Sequence, residues 1–206
     1  MSVAAIVLAA GRGTRFGATP KMLAAFEGKP LVCRAAEAAL ESEAAPVIVV
    51  VGHEAEAVSS ALAGLDVVIV ENRDYRDGLS TSLKAGFAAL PEEAEAAAIL
   101  LGDMPQIGTA LVDWLIKAWR SSGRPAALVP TFEGVRGNPT ILSMALAPAI
   151  AGLSGDTGAA KLLRGIPDVV EIELGDPAVA RDADTPQDLA DLAEAQASTT
   201  PTRTAE

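Results

Sequence analysis

The sequence is poor in cysteine, histidine, aromatic residues and positive charge. A single cysteine, Cys33, excludes an internal disulfide, and together with a single histidine, His53, it leaves no zinc cluster. Two tryptophans, one tyrosine and four phenylalanines in 206 residues are too few for the stacking surface of a single-strand binder. The formal net charge of −11 argues against general binding to nucleic acid or to an acidic membrane surface.

Long hydrophobic runs and a basic leader are also missing. No apolar run approaches the roughly 20 residues that span a bilayer. Residues 1–10 lack the basic start of a signal peptide. We therefore expect a soluble, cytoplasmic protein that binds neither membrane nor nucleic acid. The sequence is rich in alanine, with 42 residues, and half of it is hydrophobic. This composition favours packed helices around a substantial core.

Short apolar runs alternate with alanine-rich helical segments along the chain. Continuous apolar runs are typical of strands buried on both faces, and strand–helix alternation predicts right-handed crossovers. The expected fold class is α/β, a Rossmann-like doubly wound, mostly parallel sheet with helices on both faces. Strands are predicted at 3–8, 46–51, 67–70, 97–101, 126–129, 139–142 and 168–174. Helices are predicted near 31–42, 55–63, 80–90, 109–121, 144–152, 156–164 and 186–196, with a loop at 131–137. We expect one domain over residues 1–196 and a disordered tail over 197–206.

A glycine-rich loop follows the first predicted strand, in the segment Leu8-Ala9-Ala10-Gly11-Arg12-Gly13-Thr14-Arg15-Phe16-Gly17. Bare backbone amides can approach a phosphate closely, and two arginines followed by Lys21 can neutralise a triphosphate. The glycine spacing fits neither a dinucleotide fingerprint nor a P-loop. The loop therefore predicts a longer phosphate-wrapping segment, in which a core position for Lys21 is not expected. The alternative is a solvated basic loop beside a tight turn.

An acidic residue follows the predicted strand at 97–101, in the segment Gly102-Asp103-Met104-Pro105. Open α/β sheets bind ligands at the carboxyl ends of their strands, which is where Asp103 stands. Carboxylates are hard oxygen ligands of the kind that Mg²⁺ takes together with phosphate oxygens. Asp103 is therefore a candidate metal ligand. The alternative is an aspartate that caps the turn into the next helix.

The segment 8–17 followed by Lys21 resembles the signature of the MobA-like NTP transferase family. These nucleotidyltransferases load a nucleotide onto a phosphorylated acceptor, and the sequence is most similar to the molybdenum cofactor cytidylyltransferases. The resemblance covers about residues 3–196 and implies a nucleotide-diphospho-sugar transferase-like fold with Mg²⁺ as cofactor. It implies catalytic roles for Arg15, Lys21 and Asp103, with Lys21 at the α-phosphate. It also implies nucleotide contacts from the strand ends and the glycine loop, namely Leu8, Ala9, Ala10, Gly11, Gly13 and Gly102. One departure is Ala24-Ala25-Phe26, where the family has a proline before an apolar residue.

Two further segments match the family near the nucleotide. The segment 181–189 is similar to its D-x-D-T-P-x-D-L motif, which returns a second carboxylate to the metal. By that match Asp184 is the better candidate ligand and Asp182 the lesser one. On residues alone the segment is a helix start with Thr185 as N-cap. The family uses the stretch 71–82 near base and ribose. Candidate contacts there are Asn72, Ser80 and Ser82, although hydroxyls at this point could equally cap a helix.

Two glycine turns, at 137–139 and 155–159, resemble the family's acceptor-side segments G-[HN]-P and G-D-x-G-A. An arginine commonly follows the second segment, but here Ala160 stands in its place and Lys161 comes next. A cation could still reach an acceptor phosphate from this position. On residues alone both segments are glycine turns that flank helices.

The resemblance implies a Mg²⁺-dependent transfer of CMP from CTP, or of another nucleotide, to molybdopterin with release of pyrophosphate. GTP is the second nucleotide, and a molybdenum hydroxylase is the implied client. Two other classes remain open. An oxidoreductase that binds NAD(P) or flavin is opposed by the glycine spacing. A non-catalytic chaperone for a pterin cofactor is opposed by the intact Lys21 and Asp103. We expect Cys33 to pack in the core and His53 to be a loop or packing residue. Without a metal, Asp103 and Asp184 are expected to repel each other.

Overall fold

The computed structural model describes residues 2–17, 19–156 and 158–199, in which an eight-stranded sheet lies between helices. The strands are β1 (Ser2–Ala9), β2 (Ala25–Phe26), β3 (Lys29–Pro30), β4 (Val47–Val51), β5 (Val68–Glu71), β6 (Ala94–Leu101), β7 (Ala127–Phe132), β8 (Val135–Arg136), β9 (Thr140–Ser143) and β10 (Val169–Glu173). The helices are α1 (Leu31–Leu40), α2 (Ala55–Ala61), α3 (Leu79–Ala88), α4 (Thr109–Ser121), α5 (Ala147–Ala151), α6 (Ala159–Leu162) and α7 (Pro186–Thr199).

The main sheet has the strand order β10-β7-β9-β6-β1-β4-β5, and β8 pairs with β7. Strands β6, β1, β4 and β5 run parallel, as do β7 and β10, whereas β9 runs antiparallel to both of its neighbours. The central strands are apolar except for Ser2 in β1 and Glu95 in β6, and they are buried on both faces. The predicted α/β fold with a mostly parallel sheet is therefore confirmed.

Helices cover both faces of the sheet. Successive side chains of β1 point to opposite faces and therefore pack against different helices. Val3, Ala5 and Val7 join a core cluster with residues of α1, α2 and α4. Ile6 and Leu8 join a second cluster with residues of α3 and α5. In α3, Gly86 allows close approach to the sheet, since a Cβ there would lie 2.6 Å from the Ile6 Cγ2 atom.

The predicted loop at 131–137 is wrong in part. Strand β7 continues to Phe132, turns through a positive-φ Glu133 and Gly134, and pairs antiparallel with β8. The strand β8 has only two residues, too few to show a periodicity in the sequence. Glu173 of β10 holds the hairpin, because its carboxylate accepts hydrogen bonds from the Thr131 hydroxyl at 2.6 Å and from the Glu133 N–H at 2.6 Å. The first of these bonds is the main reason why the pKa of Glu173 lies below its ordinary value of 4.5.

The segment Ala24-Ala25-Phe26, which departs from the family pattern, contributes to a second small hairpin formed by β2 and β3. Phe26 packs there in a cluster with Phe16, Leu31 and residues of the last helix. This hairpin was not predicted from the sequence.

Helix α7 begins as predicted. The Thr185 hydroxyl accepts from the Asp188 N–H at 3.1 Å, and the Asp188 carboxylate accepts from the Thr185 N–H at 2.7 Å. The helix extends to Thr199, three residues past its predicted end. The rest of the expected disordered tail, 200–206, lies outside the described residues. Within the described part of the chain, no helix has both the length and the apolarity that a membrane span requires.

Candidate active site

The predicted site segments meet at the carboxyl ends of β1 and β6. These strands pair in register, with Leu8 opposite Leu101, and the Gly102 N–H donates to the Leu8 carbonyl at 3.0 Å. A Cβ on Gly102 would lie 2.8 Å from the Met22 Sδ atom and 3.2 Å from the Leu8 carbonyl oxygen. A side chain at Gly102 would therefore separate the end of β6 from the loop that follows β1.

Lys21 lies in a 3₁₀ turn, Lys21–Leu23, directly after Pro20, and its side chain is only 7% exposed. The expectation that it lies outside the core is wrong. Gly13 makes this burial possible: its φ is +54°, and a Cβ there would lie 2.5 Å from the Lys21 Cβ. Only a residue without a side chain lets the glycine loop fold over the lysine in this backbone conformation.

The buried Lys21 forms ion pairs with two carboxylates. Lys21 Nζ lies 2.6 Å from Asp103 Oδ2 and 2.8 Å from Asp184 Oδ1, and an Arg15 guanidinium nitrogen lies 2.7 Å from Asp184 Oδ2. Burial alone would lower the pKa of Lys21, but Asp103 and Asp184 together raise it. The hydrogen bond from Lys21 lowers the pKa of Asp184, and Arg15 lowers it further. The expected repulsion between the two carboxylates is therefore wrong, because a cation of the chain itself lies between them.

The backbone explains how Asp184 reaches a carboxylate so distant in sequence. The Ala183 N–H donates to the Asp103 carbonyl at 2.9 Å, and Ala183 itself is fully buried. This bond brings Asp182 to the site as well. Burial is the main reason that the pKa of Asp182 is raised, followed by the charges of Asp103 and Asp184.

The three carboxylates form a donor set for a hard cation. One oxygen of each of Asp103, Asp182 and Asp184 lies within 4.8 Å of the others. Magnesium and manganese prefer such oxygen ligands, completed by water or phosphate. The residues present therefore fit a divalent metal, with Asp182 as a third candidate ligand beside the two predicted ones.

A cleft of about 390 Å³ opens beside this cluster. Among the predicted residues it is lined by Leu8, Ala10, Gly11, Ser82 and Asp103. A second cavity of about 340 Å³ is lined by the glycine loop from Gly11 to Arg15 and by Lys21, Met22, Asp103 and Asp184. The two cavities share Gly11, Arg12, Met22 and Asp103, so the cleft and the charged cluster are continuous.

Four predicted residues, Ala9, Asn72, Ser80 and Gly102, line neither of these two cavities. Ala9 is fully buried in the core. Asn72 is buried behind the cleft, where its Nδ2 atom donates to the hydroxyls of Thr81 at 2.8 Å and Ser82 at 3.0 Å. Ser80 is fully buried, and its hydroxyl has no hydrogen-bond partner among the described residues. Asn72 therefore orients the cleft residue Ser82, and its own side-chain nitrogen is already used within the protein.

Several cleft residues were missed or not singled out. Arg12 lines both cavities, and its position inside the glycine loop was the available signal. Tyr75 and Arg76 also line the cleft, but no sequence pattern marked them. His53 packs beside Tyr75 with ring centroids 6.0 Å apart, as expected of a packing residue, and its backbone N–H donates to the Ala10 carbonyl at 3.1 Å. The prediction for Cys33 is confirmed, since it is buried in the core cluster that contains α1.

The two glycine turns resembling acceptor-side segments come together at a third cavity. This pocket of about 120 Å³ is lined by Gly137, Asn138, Gly158 and Ala159, among other residues. It shares Leu8, Leu79 and Leu101 with the large cleft, so the two cavities are neighbours. Lys161 lies in α6 and does not line the pocket; the cation at its wall is Arg136.

Residues 5–172 match the family described as the MobA-like NTP transferase domain. The chain belongs to this family of nucleotidyltransferases, as the resemblance of its glycine loop and Lys21 predicted.

The chain is similar to several proteins whose names indicate different activities. The nicotine blue oxidoreductase of Paenarthrobacter nicotinovorans is 34% identical over 194 residues, which cover 91% of this chain and 94% of that protein. The bifunctional protein GlmU of Leifsonia xyli is 32% identical over 137 residues, 65% of this chain and only 28% of that protein. The crystal structure of Rv0371c from Mycobacterium tuberculosis matches with a TM-score of 0.80 at 30% identity, covering 94% of this chain and 99% of that one. The same protein has also been solved as a complex with manganese, with a TM-score of 0.77 at 29% identity and the same coverage.

Proposed function

We propose that the protein is a Mg²⁺-dependent cytidylyltransferase that moves CMP from CTP to the phosphate of molybdopterin or its molybdenum form. The single observation that supports it best is the cluster of Lys21, Arg15, Asp103 and Asp184 at the end of the 390 Å³ cleft. Such a cluster places positive charge and hard oxygen ligands next to a cavity large enough for a nucleotide. The family membership makes nucleotide transfer the reaction class.

In this reaction an oxygen of the acceptor phosphate forms a bond to the α-phosphorus of CTP. The bond from that phosphorus to the bridging oxygen breaks, and pyrophosphate leaves with the electron pair. The protein forms no covalent bond, so its contribution is positioning and charge stabilisation. A bound divalent cation would neutralise phosphate charge, and Asp103 and Asp184, with Asp182 beside them, would hold it.

The chain's own cations have distinct positions for this task. Lys21 is buried and held by two carboxylates, so its ammonium group is fixed before substrate arrives. Arg15 is 69% exposed and can follow the charge of the phosphates. Arg12 lies where the cleft meets the glycine loop. We assign Lys21 to the α-phosphate and Arg15 to the remaining phosphates.

The acceptor side of the proposal rests on the 120 Å³ pocket. Its wall combines apolar side chains with Asn138, Thr140 and Arg136, a mixture suited to a ring with polar edges and an anionic substituent. We assign this pocket to the molybdopterin acceptor, with a molybdenum hydroxylase as the client of the product. The proposal also includes a single catalytic domain over residues 1–196 and a cytoplasmic location.

The test is pyrophosphate release with CTP, GTP, ATP and UTP, each with and without molybdopterin and Mg²⁺. We expect release with CTP that depends on molybdopterin. A matched pair of variants, Lys21→Ala in the cluster and Lys29→Ala on the surface, separates the proposed site from general charge effects. Preference for GTP would make the protein a guanylyltransferase of the same cofactor. Binding of molybdopterin without any pyrophosphate release would favour a non-catalytic cofactor chaperone.

A second candidate function is supported by the relative named nicotine blue oxidoreductase, which is 34% identical over 91% of this chain. An oxidoreductase would bind NAD(P)H or flavin in the same cleft. The purified protein should then show flavin absorbance, or it should oxidise NADH or NADPH in the presence of an electron acceptor. We expect neither, because Gly11, Gly13 and Gly17 do not have dinucleotide-fingerprint spacing.

A further inference from the structure

The loop between α5 and α6 contacts the start of α3, although the two segments lie far apart in sequence. The Leu79 N–H donates to Asp156 Oδ1 at 3.2 Å, and the Ser80 N–H donates to the Gly155 carbonyl at 3.3 Å. These are the first two amides of α3, which have no partner within the helix itself. The loop at 155–156 therefore supplies the hydrogen-bond acceptors that a helix start requires.

The backbones of the two segments also touch. A Cβ on Gly78 would lie 2.3 Å from the Gly155 carbonyl carbon and 2.6 Å from the Asp156 backbone nitrogen. On the other side of the contact, a Cβ on Gly158 would lie 2.8 Å from the Leu79 Cδ2 atom. Glycine on both segments thus permits an approach that side chains would prevent.

This contact lies between the two cavities of the site. Gly78, Leu79 and Ser82 of the α3 start line the 390 Å³ cleft, and Asp156 lines it too. Leu79 and Gly158 also line the 120 Å³ pocket. The Leu79 side chain is therefore a shared wall, and its backbone N–H is held from the opposite segment.

We propose that Asp156 is a positioning residue: it fixes the start of α3, and through it the wall of the nucleotide cleft, from the loop that borders the acceptor pocket. It acts through the Leu79 N–H, whose hydrogen bond its Oδ1 atom accepts at 3.2 Å. The inference rests on the proposed function, since it assigns the cleft to a nucleotide. It predicts that a residue of the acceptor-side loop controls nucleotide affinity even when no acceptor is present.

The two variants Asp156→Asn and Asp156→Ala separate this positioning role from simple charge repulsion of the nucleotide and from a residue without influence on nucleotide affinity. Asparagine keeps the Oδ1 acceptor and removes a negative charge from a cleft that receives a triphosphate, so nucleotide affinity should be unchanged or higher. Alanine removes the acceptor, and affinity should fall about fivefold, the effect of losing a typical helix-capping bond. Asp168→Ala is the matched control, because Asp168 Oδ2 also accepts a backbone N–H, that of Ala126 at 3.0 Å, and does not line the cleft.

The measurement is titration calorimetry of the full chain with Mg²⁺ and each of CTP, GTP, ATP and UTP, without acceptor. Weaker binding of the best nucleotide to Asp156→Ala, with Asp156→Asn and Asp168→Ala as wild type or tighter, would support the positioning role. Tighter binding by both Asp156 variants would show that Asp156 acts through charge repulsion alone, and unchanged binding by both would show that it does not control nucleotide affinity. Either result would overturn the proposal. If the wild type binds a nucleotide but the variants do not separate, only this inference fails. If it binds none of the four, the proposed function fails with it.

Discussion

Replacing Lys21 by alanine should destabilise the fold and also reduce turnover, because its ammonium group holds two carboxylates and has a role in the proposed reaction. Its Nζ atom lies 2.6 Å from Asp103 and 2.8 Å from Asp184, with only 7% of the side chain exposed. Removing one partner of a buried ion pair costs about 3–5 kcal/mol. Asp184 is 34% exposed and keeps its contact with Arg15, so we expect less, about 2 kcal/mol. For a chain of this size that corresponds to a Tm lower by about 4–8 °C.

The effect of Lys21→Ala on turnover should be larger than its effect on folding. Loss of one preorganised charge contact typically lowers kcat by about 10²–10³. The assay is pyrophosphate release under saturating CTP, together with thermal melting across a Mg²⁺ titration. Added Mg²⁺ should raise the Tm of the variant more than that of the wild type, because the carboxylates have lost their internal cation.

Lys29→Ala is the control for this prediction. The Lys29 Nζ atom lies 2.6 Å from Glu37 Oε2, as close as the Lys21 contact, but the Lys29 side chain is 55% exposed. An exposed pair of this kind contributes at most about 1 kcal/mol. Equal loss of Tm in the two variants would refute the argument from burial. A normal kcat in Lys21→Ala would refute its assignment to the α-phosphate.

Three further predictions concern other parts of the chain. Asp103→Asn and Asp184→Asn should each nearly abolish turnover. The double variant should have a turnover little lower than that of the worse single variant, since both carboxylates act on one cation. Losses of turnover that multiply in the double variant, measured across a Mg²⁺ titration, would contradict this. Gly13→Ala should lower both Tm and kcat, because its Cβ would lie 2.5 Å from the lysine Cβ, whereas Gly64→Ala, also at positive φ but with nothing within 4 Å, should affect only Tm. Glu173→Gln should melt below the wild type at neutral pH, and the gap should close as the pH falls below about 4.5. The reason is that a depressed carboxylate pKa adds stability above the pKa of the unfolded chain and loses it as the carboxylate protonates; melting curves between pH 3 and pH 7 test this.

The central strands of the sheet could be predicted because each one is a continuous run of mostly apolar residues. The segment Val47–Val51 consists of five buried β-branched residues in a row, which is typical of an interior parallel strand. The hairpin strands β2, β3 and β8 could not be predicted, since two-residue strands have no period. Their formation depends on tertiary partners such as Glu173 and the last helix.

The residues of the charged site could be predicted from the sequence, but their arrangement in space could not. The motif around Asp103 and the segment containing Asp184 indicated two carboxylates at the ligand edge of the sheet. Nothing in the sequence showed that Lys21 would be buried between them, because that requires the Gly13 conformation and the Ala183 backbone bond. Ser80 differs from both interpretations: a hydroxyl at a helix start predicts a ligand contact or a helix cap, but Ser80 is fully buried, and its hydroxyl has no hydrogen-bond partner among the described residues.

The distance along the chain between Lys21 and Asp184, 163 residues, has a consequence for the order of folding. Contacts of such high sequence separation close late, because the entropy of a long loop opposes them until the intervening structure has formed. During synthesis, when the amino-terminal part of a chain emerges first, the sheet strands up to β10 precede Asp184. The lysine therefore acquires its second carboxylate only after most of the fold exists. The nucleotide binding proposed for this cluster should accordingly distinguish the folded protein from its folding intermediates.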